Sequence, residues 1–291
     1  MVLVLAGVST TPISAQGHES FTTRPAGHLH AQPRRAPLAL VHGSARASVQ
    51  YCLAMAAKQT IRALLRSRGI EVSRYQRSVA ARRQEIFTHC GIDVLVDIGA
   101  NVGQYAQAVR ASGYKGRIIS IEPTSAAYKV LRVAAARDPL WDHEHVAVGD
   151  RAGTMKLFLS EGSIFNSLLP VDASTVKASS EARVVGTEEV PVRLLDDILG
   201  DLLEGPAAIA IKADVQGYER QVLDGASMAL THARVVELEM SPRPAYEGQM
   251  LLEEALQRMN AAGLILSLVE NVLPEPGTGR ALQFNGIFTR D

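Results

Sequence analysis

VLVDIGANVGQY, residues 94–105, is the stretch that decides the fold. An apolar run of strand length carries Asp97 near its carboxyl end, and Gly99 and Gly103 then permit a tight turn whose backbone can approach a ligand closely. Open α/β sheets bind ligands at this edge. The segment therefore predicts a ligand site at the carboxyl end of a first parallel strand.

This glycine turn differs from the common phosphate-binding loops. Asn101 stands where the dinucleotide fingerprint has its middle glycine, and only one residue separates it from Gly103. The Gly-Lys-Ser/Thr of a P-loop is also absent from the turn. The pattern therefore favours a nucleoside ligand that lacks a pyrophosphate.

Short apolar runs alternate with helical stretches beyond residue 91, which is typical of parallel βαβ construction. We predict strands at 94–98, 117–121, 145–148, 208–212, 235–240, 264–269 and 283–288, and helices at 104–112, 125–136, 217–230 and 249–262. The connection at 274–279 is too short for a crossover helix, so the last two strands should pair antiparallel. We expect an α/β fold with a seven-stranded, mostly parallel sheet, an antiparallel terminal hairpin, and an insertion at 153–195 that covers a site.

The chain divides into two parts of opposite charge. Residues 1–90 hold 12 Lys or Arg against 3 Asp or Glu, and the rest of the chain holds 18 against 27. We predict a flexible tail at 1–48, a basic helical extension at 49–90 and the main domain at 91–291. Apolar residues at helical spacing in 51–68 predict a basic amphipathic helix, which can pack on the domain or lie on an anionic membrane.

The N-terminal stretch and the cysteines bear on location. No basic residue precedes the apolar stretch 2–8, as a secretory signal would require, and Cys52 and Cys90 form no disulfide framework. We expect a cytoplasmic protein that can associate with a membrane through its basic helix. The main domain is net acidic, so we do not expect nucleic acid as a partner.

A second acid follows the second predicted strand. Glu122 can accept both hydroxyls of a ribose, a geometry that nicotinamide and S-adenosyl nucleosides share. Asp97 suits the cationic methionine portion of S-adenosylmethionine (SAM) and would repel a phosphate. Ala147 follows on the third predicted strand, where an adenine ring would rest.

Two later strands bring further carboxylates to the same edge. Asp214 ends the fourth predicted strand and shares a face with Lys212, so a buried ion pair is the alternative to a functional cluster. Glu237 and Glu239 share a face of the fifth, where buried carboxylates are costly unless they are paired. Glu239 is the better catalytic or metal candidate, and we expect Glu237 to pair with an Arg or a helix. Asp214 and Glu239 together could hold Mg²⁺, which would lower the pKa of a bound sugar hydroxyl.

In their order and spacing these blocks resemble the FkbM family of SAM-dependent methyltransferases, over about residues 70 to 290. The matching blocks are DIGANVGQY (97–105), IEP (121–123), AVGD (147–150), NSL (166–168), KADVQGYE (212–219) and ELE (237–239). Gln216 is a departure, because the family usually has Glu at that place. The resemblance implies the class I SAM methyltransferase fold, with O-methylation of a sugar or polyketide hydroxyl in a natural product or surface glycolipid.

The resemblance, together with the arguments above, gives a set of expected site residues. The cofactor-binding residues are Asp97, Gly99, Asn101, Gly103, Tyr105, Glu122 and Ala147, and the catalytic residues are Asp214, Glu239 and Lys212. Asn166 and Ser167 would bind the acceptor or the cofactor, or would be ordinary turn residues. We expect a small-molecule or glycolipid acceptor.

Two other functional classes stay open on the sequence. An NAD(P)-dependent oxidoreductase could use a similar sheet, although neither Gly-x-Gly-x-x-Gly after the first strand nor a Tyr-x-x-x-Lys pair is present. A non-catalytic SAM-binding module could keep the nucleoside pocket without the chemistry. Binding of SAM against NAD discriminates the first of these alternatives, and turnover discriminates the second.

Overall fold

The computed structural model describes residues 78–275 and 277–290. The predicted tail at 1–48 and the amphipathic helix at 51–68 lie outside the described residues. The described end of the predicted extension forms helix α1 (Val79–His89), in which Ser78 accepts a hydrogen bond from the Ala81 amide as N-cap. Helix α1 buries Arg83 and Phe87 against the domain. This helix, which the prediction assigned to the extension, therefore packs in one compact unit with the rest of the described chain.

The described chain alternates strands and helices. The strands are β1 (Val94–Ile98), β2 (Arg117–Ile121), β3 (Trp141–Glu144), β4 (Ala147–Val148), β5 (Gly153–Ser160), β6 (Val184–Arg193), β7 (Ile209–Ala213), β8 (Ala233–Met240), β9 (Ile265–Pro274) and β10 (Ala281–Thr289). The further helices are α2 (Gln104–Ala111), α3 (Ser125–Ala135), α4 (Ala173–Ala178), α5 (Leu195–Leu199), α6 (Glu219–Asp224), α7 (Ser227–His232) and α8 (Leu252–Ala261), with short 3₁₀ turns at Ser163–Phe165, Ser180–Ala182 and Gly200–Glu204.

Seven strands form the central sheet in the order β3-β2-β1-β7-β8-β10-β9. Strands β3, β2, β1, β7 and β8 pair in parallel, and β10 runs antiparallel to both β8 and β9. The expected mostly parallel sheet with an antiparallel terminal hairpin is confirmed. All five residues of β1 are buried, because helices cover both faces of the sheet.

Two local predictions were wrong. The third strand of the central sheet is Trp141–Glu144, whereas the predicted segment 145–148 contributes β4 to a second sheet. Strand β3 lies at the sheet edge and buries only Trp141 fully, so it shows no apolar run. The predicted helix 217–230 is divided at Gly225, where a Cβ atom would lie 2.0 Å from the Gly149 carbonyl oxygen.

The insertion between the third and fourth strands of the central sheet forms a small sheet of its own, in the order β4-β6-β5. Strands β5 and β6 pair antiparallel over most of their length, and β4 joins β6 in parallel next to the edge of the central sheet. The insertion thus places a second layer at the carboxyl edge of the central strands. Within the described residues, no helix has the length and apolar character needed to cross a membrane.

Candidate functional site

A cavity of about 430 Å³ opens at the carboxyl edge of β1, β2 and β7, below the small sheet. Its volume lies in the usual range for small-molecule sites. Seven of the predicted site residues line it, namely Gly99, Asn101, Glu122, Ala147, Asn166, Ser167 and Asp214. The other five, Asp97, Gly103, Tyr105, Lys212 and Glu239, are not part of its lining.

The glycine turn after β1 shapes the floor of the cavity. Gly99 has φ +75°, and a Cβ atom on it would lie 1.9 Å from the Asp214 carbonyl oxygen. The chain can therefore turn here, and β7 can approach it, only because Gly99 has no side chain. Asn101 also has positive φ, at +49°, and lines the cavity. Gly103 lies behind the floor, against the side chains of Leu131 and Trp141.

Glu122 carries a carboxylate to the cavity, directly after β2. One carboxylate oxygen accepts the Asn101 amide at 2.8 Å, and the other accepts the Thr124 amide at 2.8 Å and the Thr124 hydroxyl. Burial raises the pKa of Glu122, and these hydrogen bonds oppose that shift. Backbone amides thus tie this carboxylate to the glycine turn.

Asp97 is fully buried below the cavity floor. Its Oδ1 lies 3.1 Å from the Lys212 ammonium nitrogen, which also lies 3.6 Å from Asp214 Oδ2. Burial raises the pKa of Asp97, and Lys212 opposes this shift. Burial would lower the pKa of Lys212, but the carboxylates of Asp97 and Asp214 outweigh it and raise that pKa. Lys212 thus forms the buried ion pair that was the alternative to a functional cluster, and its partners are both Asp97 and Asp214.

Glu237 lies at the centre of a second buried group. It accepts hydrogen bonds from Arg83 Nε at 3.0 Å, from the Tyr105 hydroxyl at 2.6 Å and from Asn285 Nδ2 at 3.0 Å. Arg83 Nη2 also lies 2.8 Å from Glu270. The expectation that Glu237 pairs with an Arg is confirmed. Tyr105, which we expected at the cofactor, directs its hydroxyl into this group instead.

Asp214 is the acid that faces the cavity from the loop after β7, with 31% of its side chain exposed. Gln216 Nε2 donates to Asp214 Oδ1 at 2.8 Å and to Glu239 Oε2 at 3.1 Å, and the Tyr246 hydroxyl donates to Gln216 Oε1 at 2.8 Å. Burial, and next the charge of Asp214, hold the pKa of Glu239 well above its usual range. Among the described residues no group of three or more His, Cys, Asp or Glu could hold a metal ion, so the expected Mg²⁺ gains no support.

Glu219 holds the loop that carries Asp214 and Gln216. Its carboxylate accepts the backbone amides of Val215 at 3.1 Å and Gly217 at 3.2 Å. Burial raises the pKa of Glu219 to about 7, although the amide hydrogen bonds favour its charged form. The loop is therefore fixed from inside the domain by one acid.

The small sheet contributes the far wall of the cavity. Asn166 Oδ1 accepts the Ser160 amide at 2.9 Å, and the Ser167 hydroxyl donates to the Gln216 carbonyl at 2.7 Å. Glu188, which the sequence reasoning missed, also lines the cavity and caps α3 by accepting the amide and hydroxyl of Ser125. Sixty-three residues separate that pair, and no local pattern predicts such a contact.

The charged side chains that line the cavity are all acidic. Glu122, Glu188 and Asp214 line it, and none of the described lining residues is Lys, Arg or His. Apolar side chains provide much of the remaining wall, among them Leu157, Leu159 and Ile164 from the small sheet and its following turn. Such a site suits a ligand with a positive charge and an uncharged remainder.

Comparisons with solved structures give similar proteins at low sequence identity. An FkbM methyltransferase from Methylobacillus flagellatus is 16% identical, with 67% of this chain and 43% of that chain aligned and a TM-score of 0.40. A precorrin-6y C5,15-methyltransferase from Geobacter metallireducens is 11% identical over 76% of this chain and 93% of that chain, at TM-score 0.40. A 1,6-didemethyltoxoflavin-N1-methyltransferase from Burkholderia thailandensis is 13% identical over 89% and 94%, at TM-score 0.37.

The chain spans less than half the length of the Methylobacillus protein. A search of curated proteins found no match. The family model described as the methyltransferase FkbM domain matches residues 97–266, which is more than half of the chain and covers the glycine turn, the insertion and the Asp214 loop. The chain therefore belongs to the FkbM methyltransferase family.

Proposed function

We propose that this protein transfers the methyl group of SAM to a hydroxyl oxygen of an uncharged sugar-type acceptor, such as the headgroup of a glycolipid. The observation that carries the proposal is the sign of the cavity, whose charged lining residues are all acids. A sulfonium cation is stabilised there, whereas the diphosphate of a nicotinamide dinucleotide would be repelled. This favours SAM over the oxidoreductase alternative.

The residues present fit the SAM nucleoside at one end of the cavity. Glu122 lies beside the glycine turn, where its oxygens can accept ribose hydroxyls in addition to their present donors. Ala147, with its apolar neighbours Val146 and Val148, offers a surface for the adenine ring. Gly99 also lines the cavity.

Asp214 is the group best placed to act as the base. SAM, when bound, supplies a methyl group on a positively charged sulfur. With SAM bound, the Asp214 carboxylate would accept the hydroxyl proton while the acceptor oxygen takes the methyl group, and the electron pair of the broken carbon–sulfur bond would stay with the leaving thioether. Positioning contributes most of the rate, and a base of this kind adds about 10²- to 10⁴-fold.

The acceptor end of the cavity supports a neutral molecule with an apolar part. Glu188 and Asp214 disfavour a phosphorylated or carboxylated sugar, since no basic side chain among the described lining residues would compensate its charge. Ile164 is 59% exposed at the rim, where it can contact an apolar portion of the acceptor. Both features agree with a glycoside that carries a lipid.

Calorimetry with SAM and with NAD tests the cofactor. We expect heat of binding from SAM only, and binding of NAD alone would overturn the proposal. Methyl transfer from radiolabelled SAM to a neutral glycolipid fraction then tests the chemistry. Asp214→Asn should remove the transfer and weaken SAM binding only slightly, because Glu122 and Glu188 keep the cavity acidic. Asp150→Asn, an exposed acid outside the cavity lining, should leave both unchanged.

A further inference from the structure

Gln216 is held at both ends of its side-chain amide and at its backbone carbonyl. Its amide nitrogen donates to Asp214 and Glu239, and its amide oxygen accepts from the Tyr246 hydroxyl. Its backbone carbonyl accepts the Ser167 hydroxyl at 2.7 Å, and its backbone has φ +55°, which is rare for a residue with a side chain. Few alternative conformations satisfy all of these contacts, so the side chain is fixed between the two acids.

Two carboxylates that lie close together repel one another unless a proton, a cation or a hydrogen-bond donor lies between them. They can share a proton, bind a cation, or accept hydrogen bonds from a common donor. The Gln216 amide has two N–H hydrogens, one for each of its two carboxylate partners. The Tyr246 hydroxyl donates to the amide oxygen and so fixes which end of the amide faces the acids.

We propose that Gln216 is a positioning residue that occupies the place of a divalent cation between Asp214 and Glu239. The amide holds the Asp214 carboxylate toward the cavity and offers both acids N–H donors where a metal would offer positive charge. The role of Asp214 as base rests on the proposed function, but the bridge between the acids does not. Its tests therefore use neither SAM nor an acceptor.

Exchanging the amide for a third acid should convert the bridge into a cation site. In full-length protein freed of metal with EDTA, Gln216→Glu removes both N–H donors and brings three carboxylates together. We expect its thermal midpoint to fall by roughly 5–10 °C. Added Mn²⁺ should bind, change its electron paramagnetic resonance spectrum and restore the midpoint. Wild-type protein should show neither Mn²⁺ effect.

Two further variants separate the bridge from general damage. Gln216→Met keeps the size without the amide, so it should lose stability that Mn²⁺ does not restore. Gln107→Glu adds the same charge on the exposed face of α2 and should change nothing. The double variant Gln216→Glu/Glu239→Gln exchanges the acid and the amide, and it should regain the midpoint without Mn²⁺.

Three results would overturn the inference. One is stoichiometric Mn²⁺ binding by the wild-type protein that Asp214→Asn abolishes, because the two acids would then be a metal site. Another is a thermal midpoint in EDTA that is the same for Gln216→Glu, Gln216→Met and the wild-type protein. The third is a double variant no more stable than Gln216→Glu. If Gln216→Glu does not fold with or without Mn²⁺, the double variant and Gln216→Met decide the question.

Discussion

Asp97 and Glu122 end neighbouring parallel strands and are both buried, yet they meet different partners. Asp97 lies below the cavity floor beside Lys212, whereas Glu122 lies in the cavity and accepts backbone amides. Strand register explains the difference, because Asp97 pairs with Ser120, two residues before Glu122. Two residues of strand amount to about 6–7 Å. Residues in register across neighbouring strands form a row. The row to which an acid belongs thus decides whether it lies below the cavity floor or in the cavity.

The same two rows continue across the sheet. Asp97 is in register with Lys212, which is in register with Glu237, and we call these three residues the lower row. Their charged groups are paired by ion pairs and hydrogen bonds. Two residues further along lie Glu122 and Asp214, which line the cavity, and Glu239, which is outside its lining and accepts a hydrogen bond from Gln216. The lower row should therefore govern stability, and the upper row should govern ligand binding.

The largest expected effect is in the lower row. Lys212→Met leaves Asp97 buried without its cation, so the free energy of unfolding should fall by about 3–5 kcal/mol. Urea unfolding at neutral pH measures it. Lys156→Met, at an exposed position of β5, is the control. An unchanged unfolding midpoint in Lys212→Met would show that the ion pair between Lys212 and Asp97 does not stabilise the protein.

Glu219 sharpens the comparison, because it is buried like Asp97 but accepts backbone amides like Glu122. Its pKa of about 7 in the folded protein lies above the ordinary 4.5. Its contribution to stability is therefore fully present below about pH 4.5 and is lost as the pH rises through 7. Glu219→Gln should remove that loss, which amounts to about 3 kcal/mol.

Urea unfolding of Glu219→Gln across this pH range measures the effect. Its stability relative to wild type should grow as the pH rises. Glu253→Gln, an exposed acid on α8, should follow the wild-type curve. Parallel curves for wild type and Glu219→Gln would mean that the loop at Asp214 is held in another way.

In the upper row, Glu122→Gln should weaken SAM binding by about 10- to 100-fold, because hydrogen bonds to a charged acceptor are lost. Calorimetry measures the affinity, with Glu144→Gln on the exposed side of β3 as control. Asp97→Asn should keep SAM affinity within error. If Asp97→Asn lost affinity and Glu122→Gln kept it, the two rows would have the opposite roles.

The smallest expected effect concerns Tyr105. Tyr105→Phe removes one of the donors to Glu237, while Arg83 and Asn285 remain, so the free energy of unfolding should fall by about 1–2 kcal/mol. SAM affinity should not change. A weaker affinity in the calorimeter would return Tyr105 to the cofactor site, where the sequence placed it.

The predictable features followed from local patterns. Apolar runs predicted six of the central strands, and four of these are parallel strands with apolar residues on both buried faces. Strand β3 was missed because it buries a single Trp141 at the sheet edge. The acids of the site were recognised as residues near strand ends, but their rows depend on register, which separates Asp97 from Glu122 by pairing across strands. Contacts such as Glu188 with Ser125 join distant segments and leave no local signal.

Arg83 in α1 contacts both Glu237 and Glu270, which belong to strands separated by β10. A recombinant protein shortened to begin at Gly91 would keep every central strand and the whole segment matched by the family model. It would nevertheless leave Glu237 and Glu270 buried without their guanidinium partner. Truncation for crystallisation or expression should therefore spare the helix that precedes the domain, since the sheet depends on it for charge neutrality.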